Sequence, residues 1–178
     1  MKLQKILCFL CGVMLVTSAF GIHTSASSIG PVPSNLKFID NDALTSSGYW
    51  NSRTGFDEYI EGTSLYNEDA RVNSRGAIGC YDYKHNDVNL GQDFSFLVGA
   101  HLNHARFRDP AAIYCIITSD GLIPIDTLNQ NDAPGGWNYL PLRKKSTTAR
   151  VFAQGVRLAS SKRDSTGADA ISVQYWKY

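Results

Sequence analysis

Carboxylates cluster at three places in this sequence: Asp40-Asn41-Asp42, Asp57-Glu58 and Glu68-Asp69. Two acids can cleave a glycosidic bond when they face each other across a cleft. Adjacent residues of a strand point to opposite faces, so none of these short-range pairs is such an arrangement by itself. Oxygen donors in a loop also suit a hard cation, and Asp40, Asn41 and Asp42 have the chemistry to hold calcium. A polar turn closing the first strand accounts for the same three residues and is the favoured reading, so no cofactor is expected. His101 and His104 form an H-x-x-H pair, which needs a helix to bring both imidazoles onto one metal. In a strand or loop they are surface residues, and His85 stands alone. No G-x-S-x-G elbow is present to carry a serine nucleophile.

Aromatic residues are the other chemical resource, with nine tyrosines and three tryptophans. Flat rings stack on the C–H faces of sugars while Asn, Asp, Gln and Arg bind the hydroxyls, but the same rings also fill β-sandwich cores. Tyr59 and Tyr66 stand in a polar stretch, and Tyr81 and Tyr83 alternate with Cys80 and Asp82. These four tyrosines are the candidate binding residues. Trp50 belongs to an opening hydrophobic strand. In DAPGGWNYLPL, alternation puts Trp137 and Tyr139 on one side and Asn138 and Leu140 on the other, and Trp137 is read as core or near-core.

The elements that must position these residues are strands. Short runs rich in β-branched and aromatic types are broken by Gly, Asn, Asp, Ser and Pro, and no run has a convincing helical period. Strands are expected at 36–40, 48–51, 64–72, 77–83 and 93–102, with Phe94, Phe96, Val98 and Ala100 on one face. Further strands are expected at 112–118, 122–128, 136–142, 149–153, 156–160 and 169–176. Ser119-Asp120-Gly121 reads as a tight hairpin turn in which Gly supplies positive φ. The fold class that follows is all-β, an antiparallel β-sandwich or barrel in one domain.

The first 26 residues are read as a secretory signal peptide. Lys2 and Lys5 precede an apolar run, Ile6–Val16, too short to span a bilayer, and Thr24-Ser25-Ala26 suits cleavage after Ala26. Residues 27–36 hold two prolines and form an extended lead-in, and 37–178 form the domain. Cleavage removes two lysines and takes the formal charge from +1 to −1. Arg143-Lys144-Lys145 and Lys162-Arg163 read as solvated turns, so neither nucleic-acid binding nor membrane insertion of the mature chain is expected. Export also leaves Cys80 and Cys115 in an oxidising setting. A bridge between them would close about 36 residues and contribute roughly 3–4 kcal/mol. The disulfide is favoured over two buried thiols, and zinc is disfavoured because no histidine lies at ligand spacing.

The order of segments resembles the golvesin and xanthan-lyase carbohydrate-binding-like domain over about residues 37–176. Thr45, Gly48 and Trp50 match its T-S-G-x-W stretch, and Tyr59, Gly62, Ser64 and Tyr66 its Y-x-G-x-S-Y element. Phe94–Ala100 is similar to its extended strand. Asp120-Gly121, Ile125–Gln130, Trp137 and Leu140 resemble its hairpin, and Ala168-Asp169-Ala170-Ile171 its closing A-D-A-V. Asn129 replaces an aspartate, Pro141 a glycine, KHNDVNLGQ at 84–92 has no counterpart, and the cysteine pair is not a hallmark of the family. The resemblance implies a jelly-roll-like, galactose-binding-type sandwich.

The expected function is a secreted, non-catalytic module that binds polysaccharide at the cell surface or in matrix. The alternative is a secreted protein-interaction or structural module with a protein partner. A small hydrolase ranks below both.

Overall fold

Phe94, Phe96, Val98 and Ala100 lie on one side of their strand, and each is at most 1% exposed. Their alternation with outward residues is the pattern from which the whole molecule is built. A computed structural model describes residues 36–42 and 48–178. The predicted leader, the lead-in up to Asn35, and Thr45 lie outside the described residues.

The strands are β1 (Lys37–Ile39), β2 (Tyr49–Thr54), β3 (Glu58–Glu61), β4 (Asp69–Asn73), β5 (Cys80–Leu102), β6 (Ala112–Thr118), β7 (Gly121–Leu128), β8 (Gly136–Tyr139), β9 (Arg143–Ala159), β10 (Thr166–Ala168) and β11 (Ile171–Lys177). The larger sheet runs β1-β11-β5-β9-β6-β7, with β2 and β8 also pairing with β5; the smaller runs β10-β4-β3. All pairings are antiparallel. The fold is all-β, an antiparallel sandwich of jelly-roll type.

Strand β5 organises this arrangement. Its first half pairs with β2 through Cys80–His85, and its second half pairs with β11 through Phe94–Ala100. Between the halves, the register against β9 slips three times from Lys84 to Asp93, and Gly91 takes φ +76°. Bulges of this kind bend a strand and let one sheet curl. The stretch KHNDVNLGQ, without a counterpart in the family pattern, is therefore the bend of β5.

The interior is filled largely by rings: Tyr81, Tyr83, Tyr114, Tyr175, Phe56, Phe94 and Phe96 are all fully buried. Burial of each large apolar side chain is worth about 1.5–3 kcal/mol, provided its polar end finds a partner. The Tyr81 hydroxyl donates to the Asn41 carbonyl, and that of Tyr83 to the Asp169 carbonyl at 3.4 Å. His85 Nδ1 lies 2.8 Å from the Asn86 carbonyl, which can only accept. Nε2 is therefore the acceptor for the Tyr175 hydroxyl at 2.9 Å, and the ring is neutral.

The expected disulfide is not formed, and Cys80 and Cys115 are both free. Strand β9 lies between their strands, with Ala159 opposite Cys80 and Arg157 opposite Cys115. Two strand spacings hold the backbones roughly 10 Å apart, beyond the reach of a disulfide. The side chains do share the outward face, as the alternation indicates. Between them Arg157 binds Asp82 through two hydrogen bonds of 2.6 and 2.7 Å.

Candidate functional site

Tyr59 stands on β3, the edge strand of the smaller sheet, where one side of its backbone has no strand neighbour among the described residues. Its register partner is Arg71, whose guanidinium carbon lies 4.8 Å from the ring centroid. The Tyr59 hydroxyl donates to Asp69 Oδ2 at 3.0 Å, a bond that raises the pKa of the phenol. The ring is thus held at both its face and its tip while remaining 44% exposed.

Beside it is a cavity of about 540 Å³ lined by Tyr59, Glu61, Gly62, Asn67, Glu68 and Asp69, together with Thr63. The loop between β3 and β4 supplies most of this wall. Leu65 is buried beneath it, Ser64 Oγ donates to the Asn103 carbonyl at 2.7 Å, and the Tyr66 N–H donates to the Asp169 carboxylate at 3.1 and 3.2 Å. Asn67 donates from its side chain to Asp40. Pinned in this way, Asn67 and Glu68 adopt φ of +50° and +69°. Non-glycine residues in this region carry about 1–3 kcal/mol of strain each, and such strain concentrates at binding sites.

Next to the loop, Trp137 is the centre of an aromatic group. Phe38, Tyr66 and His101 meet it edge-on at centroid distances of 5.6, 5.7 and 5.4 Å. His101 Nδ1 donates to Asp169 Oδ2 at 2.8 Å. Burial raises the Asp169 pKa to about 6 against the opposing effect of these hydrogen bonds, and burial likewise raises Asp40 to about 6.

The four predicted tyrosines separate. Tyr59 lines the cavity, and Tyr66 belongs to the adjoining aromatic group. Tyr81 and Tyr83 cannot present a ring to a ligand because they face the core; their strand alternates as expected, but with the opposite side inward. Trp137 is half-buried on the outer side of its strand, packed in the aromatic group and not in the core. Asn138 and Leu140 are the buried pair, and Asn138 satisfies its amide with the Pro134 and Gly136 carbonyls at 2.9 Å, leaving Trp137 and Tyr139 outside. Asp40 serves the loop through Asn67, Asn41 is buried and Asp42 exposed. No group of three His, Cys, Asp or Glu side chains among the described residues is placed to hold a metal ion. His104 accepts the Arg106 N–H and is engaged separately from His101. Sequence reasoning missed Glu61, Asn67 and Glu68 as cavity residues; the Tyr-Gly-Ser-Tyr spacing around them was the available signal.

No protein-family model matches this sequence, and no curated protein matches it. Among solved structures, the fold is similar to part of a Paenibacillus xanthan lyase, with a TM-score of 0.51 and 17% identity over 78% of this chain. The chain spans 13% of the length of that enzyme. Weaker similarities include an exo-β-1,3-galactanase from Phanerochaete chrysosporium, with a TM-score of 0.45, 10% identity, and coverage of 78% of this chain and 29% of that one. Another is the C-terminal CBM6 module of the laminarinase LamC from Zobellia galactanivorans, with a TM-score of 0.44, 9% identity, and coverage of 79% and 99%. What the xanthan lyase likeness establishes is the class of fold, a β-sandwich of the kind that enzyme contains.

Proposed function

We propose that the chain is a secreted, non-catalytic module that binds polysaccharide in the cavity beside Tyr59. The observation that carries this reading is a fixed, exposed tyrosine ring next to a cavity whose other walls are hydrogen-bonding side chains. Rings of this kind stack on pyranose faces, and carboxylates and amides take up the hydroxyls. The sequence resemblance to the golvesin and xanthan-lyase domain and the fold likeness to xanthan lyase support it. The leader-like first 26 residues support action outside the cell. Support for a non-catalytic role comes from the placement of the acids: Glu61 and Asp69 are register partners that project side by side, and Asp69 is engaged by Tyr59.

Retention on a panel of insoluble polysaccharides, followed by calorimetry, tests the proposal. At least one polymer is expected to retain the protein, and Tyr59→Ala is expected to weaken binding by about tenfold or more, the equivalent of one lost stacking contact. Failure to bind any polymer would reject it. Release of reducing ends, lost in Glu61→Gln, would restore the hydrolase reading.

One observation favours a second reading, a protein-binding surface. Phe38 and Tyr139 are 47% and 60% exposed on the outer face of the larger sheet, with Leu36 and Leu142 also exposed. Cross-linking of wild type and a Tyr139→Asp variant in culture supernatant separates the two readings, since only a protein partner depends on Tyr139.

A further inference from the structure

The cavity beside Tyr59 carries charge of one sign. Glu61, Glu68 and Asp69 line it, and among the described residues no lysine, arginine or histidine does. The Asp69 side chain is more than nine-tenths buried; one oxygen takes the Tyr59 hydroxyl, and Oδ1 has no hydrogen-bond partner among the described residues. A buried acceptor without a partner is costly, and a donor brought by a ligand relieves that cost. Of the neighbouring cations, Arg71 offsets part of this charge and Arg106 is neutralised by Glu58, which leaves the acids in excess. Arg71 lies against the Tyr59 ring, and Arg106 is held by both oxygens of Glu58.

We infer that this cavity selects sugars bearing a protonated amine, such as the residues of a de-N-acetylated hexosamine polymer, over neutral or uronate sugars. The inference rests on the reading of the cavity as a sugar site. An ammonium group donates up to three charge-assisted hydrogen bonds to carboxylates while its pyranose ring lies against Tyr59. Acetylation removes the charge and two of those donors. A uronate brings another carboxylate to three already present, a like-charge arrangement that interfaces reject.

The test is calorimetry of the full chain with hexamers of glucosamine, N-acetylglucosamine and galacturonate at low salt and about pH 6, where carboxylates are ordinarily ionised and amines protonated. The glucosamine hexamer is expected to bind at least about tenfold tighter than its acetylated form, with uronate binding undetected. In the Glu61→Gln/Glu68→Gln double variant, the preference is expected to fall to about twofold or less, because the amides keep hydrogen bonding but not charge. Tyr59→Ala is expected to weaken both hexosamine ligands. Equal binding of the amine and acetyl forms, or tighter binding of the uronate, overturns the inference and leaves the sugar site standing. Failure of all three hexamers and of every tested polysaccharide overturns both. An oligolysine that binds as tightly as the glucosamine hexamer overturns selectivity for a sugar.

Discussion

Glu68 pays a conformational penalty that its own side chain does nothing to relieve, since its backbone holds φ +69° while the carboxylate lines the cavity. Glycine adopts that conformation freely but loses more entropy on folding. Glu68→Gly is therefore expected to raise stability by up to about 1 kcal/mol in urea denaturation while weakening ligand binding. Three other residues respond to pH, two carboxylates with one sign and a histidine with the other. Asp169 has its pKa raised by burial from 3.8 to about 6, so the native state holds its proton more tightly than the unfolded chain. Its contribution is fully present below about pH 4 and is lost as pH rises through about 6. Asp40 acts in the same direction. His85, lowered by burial from 6.5 to about 4, contributes above its ordinary pKa and loses that contribution as pH falls through about 4. Relative to wild type, the urea midpoint of Asp169→Asn is expected to climb more steeply with pH between about 4 and 6, and that of His85→Gln less steeply.

At the scale of elements, alternation in the sequence was reliable and the choice of inner face was not. Phe94 to Ala100 declare their inner side because four apolar residues in alternation oppose Ser95, Leu97 and Gly99, of which one alone is large and apolar. Tyr81 and Tyr83 oppose Cys80 and Asp82, and Trp137 opposes Asn138; either face could be packed on those residue types alone. What decides is the polar partner each finds: Asp82 meets Arg157 on β9, a tertiary contact, and Asn138 meets two carbonyls in its own turn, a local one. The β6–β7 hairpin was legible in full, with Gly121 at φ +117° where the turn requires it. Strands β3 and β10 were not, because EYIE and TGA hold no run of apolar residues to mark them. Nor was the union of two predicted segments into β5, or of two into β9, since bulges look like breaks in a sequence. Gly155 shows how tightly those long strands meet. It takes φ +152°, and a β-carbon there would strike the Tyr83 carbonyl on β5. Gly155→Ala is expected to cost roughly 2–4 kcal/mol by urea denaturation. A cost below about 0.5 kcal/mol would show that the two strands part without penalty.

Across the whole molecule, the strongest constraint is the place of the last strand. β11 sits between β1 and the second half of β5, with Ile39 opposite Ile171 on one side and Val98 opposite Val173 on the other. Ile171, Val173 and Tyr175 are buried core residues. A chain ended at Asp169 is therefore expected to lose its cooperative unfolding transition and to bind a hydrophobic dye. Retention of a sharp transition would show that the remaining strands suffice. The general class of the fold was readable from strand length and turn chemistry, because those are local. The candidate cavity was not: its lining runs only from Tyr59 to Asp69, but the loop shape that opens it is held by the distant Asp40, Asn103 and Asp169.

That closing position has a consequence for how the chain is made. Synthesis runs from the amino end, so β1 and β5 emerge from the ribosome long before the strand that joins them. The core stays incomplete until β11 has been made, and folding waits on contacts of high sequence separation, which form slowly.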